Sequence, residues 1–158
     1  MAEAVARRTK LRVKPTVETR LSSGADPANV ESQMAKKPYT VIVAEDDPVS
    51  AKILLNELQK AGFKVQVFPN GGEAIQAIKQ SPPDVAILDL MMPKLHGFEV
   101  CRMIKTDPAL KAVKVMILTA RAYKPDQDKA MELGADEFVL KPFAPNEIAQ
   151  KVRTLAGG

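Results

Sequence analysis

The chain has 158 residues, 46% of them apolar and 27% charged, the size and balance of one ordinary globular domain. It has no tryptophan and a single cysteine, Cys101, so the core must be aliphatic, and a disulfide framework or a cysteine-cluster metal site is excluded. The net charge of +4 hints at a nucleic-acid partner, but its distribution argues against one. Residues 1–38 carry eight basic side chains (Arg7, Arg8, Lys10, Arg12, Lys14, Arg20, Lys36, Lys37) against Glu3, Glu18, Asp26 and Glu31. Taken from totals of 23 and 19, this leaves 15 basic and 15 acidic residues in the remainder.

Residues 1–37 show no sustained period and no aromatic residue, and contain Pro15 and Pro27. Such a segment buries too little apolar surface to offset its ordering entropy, so a largely disordered basic extension is expected there. Leu11, Val13 and Val17 alternate with basic residues, which offers a short strand or a contact to an acidic surface as the alternative to solvated linker. The extension has no helix-turn-helix pattern, so nucleic acid is not expected as a partner. No apolar run is long enough for membrane insertion, and no secretory signal opens the chain. A reducing, cytoplasmic location is the expectation.

The domain is expected over 38–158. Thr40–Ala44 is an apolar strand running into Glu45, Asp46 and Asp47, and Pro48 suits the first turn of the helix that follows through Ile53, Leu54 and Leu58. Gly62 stops that helix, and Val65 and Val67 mark a second strand. Gly71–Gln80 reads as a helix with Ala74, Ile75 and Ile78 on one face. Val85–Leu88 is an unbroken apolar strand ending at Asp89. A loop with Pro93 and Gly97 leads to a helix through Val100, Met103 and Ile104. Val113–Leu118 is the fourth strand, ending at Thr119. Pro125–Leu133 is a short helix, Phe138–Leu140 a fifth strand, and Pro145–Leu155 a last helix. Continuous apolar strands alternating with helices predict an α/β fold, a doubly wound parallel sheet with helices on both faces.

Ligands of such sheets bind outside the carboxyl ends of the strands. Those ends carry Glu45 and Asp46, Asp89, Thr119 and, after the fifth strand, Lys141. Converging carboxylates repel one another, and a hard divalent cation such as Mg²⁺ removes the conflict. A carboxylate nucleophile, a cation, a lysine and a hydroxyl donor together make a phosphoryl-transfer site. Any one of these residues alone reads better as a helix cap or surface ion pair, and it is their joint placement on the strand ends that favours the site. His96 sits in a polar loop with no evident role, Cys101 reads as a small apolar helix residue, and Met91–Met92 as loop and core packing.

Residues 39–156 resemble a response-regulator receiver domain. The resemblance is carried by Val41-Ile42-Val43-Ala44-Glu45-Asp46-Asp47-Pro48, Ile87-Leu88-Asp89-Leu90-Met91-Met92-Pro93 with Gly97, Met116-Ile117-Leu118-Thr119-Ala120, and Val139-Leu140-Lys141-Pro142-Phe143. It implies a five-stranded sheet of flavodoxin-like order 2-1-3-4-5. It further implies Asp89 as acceptor of a phosphoryl group from a histidine kinase or histidine phosphotransfer protein. By the same resemblance Mg²⁺ is held by Asp46, Asp89, Glu45 (through water) and the Met91 main-chain carbonyl. Thr119 and Lys141 contact the phosphoryl group, Asp47 caps the first helix, and the Lys141–Pro142 bond is cis.

Thr119 and Phe138 would be the switch, and residues 125–155 the readout face for a downstream protein or a homodimer, with Lys129, Asp136, Glu137 and Arg153 as its charges. Met91 and Arg121 are poor orienters of attacking water, so the chain is expected to be a slowly self-dephosphorylating switch and not an enzyme. An aspartyl-phosphate hydrolase needs an acid two residues beyond the nucleophile, where Met91 stands. A phosphate-independent adaptor would be expected to lack one of the five site residues. No effector motif follows the last helix, leaving a stand-alone receiver or a fragment of a larger multidomain regulator or hybrid kinase.

Overall fold

The structure, a computed structural model, describes residues 37–157 apart from residue 94. The expectations placed on the basic extension therefore fall outside the described residues, Lys37 excepted. Five strands, β1 (Thr40–Ala44), β2 (Lys64–Phe68), β3 (Val85–Asp89), β4 (Lys114–Thr119) and β5 (Glu137–Leu140), alternate with five helices. These are α1 (Pro48–Lys60), α2 (Gly71–Gln80), α3 (Gly97–Thr106), α4 (Lys124–Glu132) and α5 (Pro145–Gly157). The strands form one parallel sheet in the order β2-β1-β3-β4-β5. The expected elements and order are present. α1 begins at Pro48, where the Asp47 carboxylate accepts from the Ser50 N–H and caps it, and other ends shift by one or two residues, β4 opening at Lys114 and α5 running to Gly157.

Alternation along each strand divides the apolar residues between two layers. Ile42, Ala86, Leu88, Val115 and Ile117 pack on one face with Ile75 and Ile78 of α2 and Val100 and Ile104 of α3. Val41, Val43, Val85, Ile87, Met116 and Leu118 pack on the other with Leu54 and Leu58 of α1 and Ile148 and Val152 of α5. β3 is buried at all five positions. Burial on both sides makes the central strands read as unbroken apolar runs instead of alternating ones.

The loop after β3 is clamped by two glycines. A Cβ on Gly97 would lie 2.7 Å from the Asp89 carbonyl oxygen and 3.0 Å from the Leu90 Cα, and one on Gly71 would meet the Leu95 carbonyl. The first turn of α3 thus rests directly on the backbone that presents Asp89. Gly97→Ala is expected to cost about 2 kcal/mol through overpacking, read as a lower urea midpoint at unchanged m-value. An unaltered midpoint would mean that the loop has room to give.

A second fastening lies at the opposite end of the sheet. Lys105 of α3 donates to the carbonyls of Lys111 (3.3 Å) and Val113 (2.8 Å) and pairs with Asp136 at 3.0 Å. Asp136 in turn accepts from the Val115 N–H at 2.8 Å. The ammonium has three acceptors for its three protons, so a half-buried lysine is fully satisfied.

Candidate functional site

Strand register sets the geometry of the carboxyl edge. Ala44 is opposite Leu88, and Asp89 is opposite Leu118. Thr119 is opposite Leu140. Glu45, Asp89, Thr119 and Lys141 therefore sit at, or one residue beyond, the ends of four adjacent strands. Ligand oxygens of Glu45, Asp46 and Asp89 lie within 4.8 Å of one another, the one such acidic cluster among the described residues.

Within the cluster the three acids differ. Glu45 is buried and Asp46 exposed. The Lys141 Nζ lies 2.6 Å from Glu45 Oε1 and 3.3 Å from Asp89 Oδ2. The other Asp89 oxygen accepts from the Met91 N–H at 3.1 Å, and Glu45 Oε2 accepts from the Asp47 N–H at 3.2 Å. Thr119 is fully buried, and its hydroxyl oxygen accepts from the Arg121 N–H at 3.1 Å. The Lys141 main-chain N–H donates to the Thr119 carbonyl at 2.8 Å, and the Lys141–Pro142 peptide is cis, as expected.

Burial pushes the Glu45 carboxyl up to about 7, and the neighbouring Asp89 raises it further than the Lys141 ammonium lowers it. The Lys141 ammonium is disfavoured by burial, but the Glu45 hydrogen bond and the two carboxylate charges more than offset this, so its pKa lies above the usual lysine value. Asp47 is held below its ordinary value by the hydrogen bonds from Ser50.

A stability consequence follows from Glu45. An acid whose folded pKa exceeds its unfolded value binds more protons when folded, so stability is lost as pH rises from the unfolded pKa toward the folded one. In chelator-treated protein the unfolding free energy is expected to fall by on the order of 3 kcal/mol between about pH 4.5 and pH 7, at about 1.4 kcal/mol per unit. Denaturation across that range, with Glu45→Gln as the flat reference, checks it. Parallel curves for the two proteins would remove Glu45 as the source.

Other expected residues take their places. Asp47 caps α1. His96 precedes α3, where its N–H donates to Glu99 at 3.0 Å. Cys101 is a buried free thiol, pushed up to about 11 by burial and so chemically quiet. Met92 is core and Met91 exposed. Phe138 is half-buried against α4 and walls a groove with Tyr123, Gln127, Leu140 and Lys151.

The four charges offered to a dimer all have intrachain contacts. Asp136 is committed to Lys105 and the Val115 N–H, and Glu137 pairs with Lys151 at 2.9 Å. Lys129 lies over the Phe98 ring, and Arg153 turns to the α1 side, over Phe63 and onto the Ala61 carbonyl. The Arg121 guanidinium makes two hydrogen bonds to Asp126, at 3.0 and 2.7 Å, and stacks on Tyr123. No periodic signal links residues five apart across a loop–helix boundary, so Asp126 was not legible as a partner.

A parallel sheet of order 2-1-3-4-5 with an acid cluster, a threonine and a lysine at its carboxyl edge defines a receiver-type signalling domain. The chain belongs to the response regulator receiver domain family, whose sequence profile matches residues 41–153. It is 42% identical over 117 residues to the transcriptional regulatory protein CreB of Escherichia coli, covering 73% of this chain and 50% of that one. It is 37% identical over 113 residues to the DNA-binding response regulator MtrA of Mycolicibacterium smegmatis, covering 72% and 48%. The chain thus spans about half the length of the curated relatives it matches. Among solved structures it is similar to the signal receiver domain of a signal transduction histidine kinase from Syntrophus aciditrophicus. That match has a TM-score of 0.71 and 32% identity, over 76% of this chain and 91% of that one.

Proposed function

We propose that this receiver is a phosphorelay switch in which a carboxylate oxygen of Asp89 attacks the phosphorus of a phosphohistidine donor. The P–N bond breaks, the imidazole leaves and takes up a proton, and an aspartyl phosphate forms. The donor would be a histidine kinase or histidine phosphotransfer protein. The observation that carries this reading is Asp89 itself, held by the Met91 N–H on one oxygen and faced by Lys141 at 3.3 Å on the other, beside two further acids.

The oxygen donors of Glu45, Asp46 and Asp89 fit Mg²⁺, which prefers hard oxygen ligands, and the Met91 carbonyl would be a further ligand by the family resemblance. When bound, it supplies the positive charge that offsets repulsion between carboxylates and phosphate. Lys141 sits at the edge of that cluster and can exchange Asp89 for a phosphoryl oxygen while remaining on Glu45. Among the described residues the Thr119 hydroxyl is only an acceptor, from the Arg121 N–H, which leaves its proton to donate. The phosphoryl group adds about −1.5 to −2 charge, enough to draw both donors toward it. Thr119 and Phe138 would then respond together, reshaping the groove of about 540 Å³ between α4, β5 and α5 for a downstream protein target.

On this reading the chain is a switch and not an enzyme, since no carboxylate stands at Met91 to activate water. Its setting is the reducing cytoplasm, which the unpaired Cys101 thiol fits. A second reading, the receiver of a longer regulator, is favoured by the half-length span of its curated relatives.

Incubation with acetyl phosphate and Mg²⁺, followed by intact mass, tests the proposal. The protein is expected to gain one phosphoryl group, and chelation of the divalent ion to suppress the gain by at least about tenfold. Equal uptake with and without chelator would remove the metal from the reading, and no uptake in either would sink it.

A further inference from the structure

Five polar or charged residues are buried among the described ones: Glu45, Asn70, Asp89, Thr119 and Asp126. Three belong to the site, and Asn70 caps α2 through the Glu73 N–H. Asp126, 8% exposed, has no such role, yet its Oδ2 accepts both the Nε and an Nη of Arg121. Arg121 is also the residue whose main-chain N–H reaches the Thr119 hydroxyl. We propose that the Arg121–Asp126 pair is a positioning link that carries the state of Thr119 to the first turn of α4. This rests on the phosphoacceptor reading of Asp89.

The argument is one of connected bonds. A hydroxyl has one proton to donate and two lone pairs to accept with. Thr119 can therefore donate to a phosphoryl oxygen while keeping the Arg121 N–H, in which case its movement pulls Arg121 along. Alternatively the 3.1 Å bond breaks and the loop is released. Either outcome displaces the Arg121 backbone, and a charge-assisted two-bond contact to one carboxylate oxygen passes that displacement on. Asp126 lies in the first turn of α4, where its own N–H is bonded to the Tyr123 carbonyl at 3.0 Å. Ala122, Tyr123, Lys124 and Gln127, the loop and turn so linked, form one wall of the groove. Stacking of the guanidinium on the Tyr123 ring, 4.8 Å from its centroid, fixes that wall to the same pair.

The test is hydrogen exchange of α4 amides over residues 124–132, with and without acetyl phosphate and Mg²⁺, with intact mass and the thermal midpoint taken on the same samples. In the wild type, protection is expected to differ by about fivefold or more between the two states. In Arg121→Ala and Asp126→Asn the difference is expected to shrink below about twofold at the same phosphoryl gain. Arg121→Lys, whose ammonium still reaches Asp126, should recover part of the response, which a merely structural loss would not. If Asp126→Asn fails to fold, Arg121→Ala decides, because the Arg121 side chain is 57% exposed. A full α4 response in Arg121→Ala, or none in phosphorylated wild type, overturns the link. Absence of a mass gain in the wild type overturns the phosphoacceptor reading instead.

Discussion

Asp89→Asn is expected to fold normally, to gain no phosphoryl group from acetyl phosphate, and to show a lower Glu45 pKa than the wild type. The amide is nearly isosteric with the carboxylate, so its oxygen can still accept the Met91 N–H. What it lacks is the anionic oxygen pair that makes a carboxylate a nucleophile. Its effect on Glu45 has a defined sign. Burial is the largest cause of the raised Glu45 pKa, and the Asp89 hydrogen bond and charge come after it. Removing the charge at 89 should bring Glu45 down from about 7 while leaving it above the ordinary carboxylate value. Intact mass reads the first outcome, and a carbon-detected titration of the Glu45 carboxyl reads the second. Phosphoryl incorporation persisting in the variant would move the acceptor elsewhere, and an unchanged Glu45 titration would break the coupling inferred between the two acids.

Lys141→Ala should cost about 3–5 kcal/mol of stability at pH 8 in chelator, because removing one partner of a buried ion pair leaves uncompensated charge behind. The Glu45 side chain is fully buried and the Lys141 side chain only 17% exposed, so little water is available to take the place of the ammonium. Lys141 lowers the Glu45 pKa, so in the variant Glu45 titrates higher still. At pH 5 Glu45 is then protonated and can donate to Asp89, and the penalty should fall to about half or less. Urea denaturation at the two pH values separates this from simple loss of packing. A penalty independent of pH would show that the aliphatic stem of Lys141, and not its charge, does the stabilising.

Most of this architecture was legible because local signals agreed with one another. β3 and β4 are unbroken apolar runs since both of their faces are covered, and each ends at a residue of the site. Pro48 and Gly62 marked the limits of α1, and Asp47 was recognisable as its cap. The site could be listed from strand ends, because parallel strands in register bring their carboxyl ends to one edge.

What could not be read was the choice of partner among exposed charges. Arg121 pairs with Asp126, and nothing in the spacing favours that partner. Asp136 and Arg153 looked like free surface charges. The fold turns one onto Lys105 and the other onto Phe63. Such pairings depend on packing between elements distant in sequence, which periodicity does not encode.

The all-parallel pairing has a further consequence for how the chain is made. No strand can find its neighbour through a tight turn: Val41 meets Val85, and Thr119 meets Leu140, only across connections that contain helices. Glu45 comes from the first strand connection and Lys141 follows the last strand, a sequence separation of 96. A nascent or truncated chain that stops short of β5 has its acids but not the ammonium that pairs with two of them. The cation of the carboxyl edge is thus the last of its groups to be synthesised, and the ion pair that ties the first strand connection to the last cannot close before β5 is made.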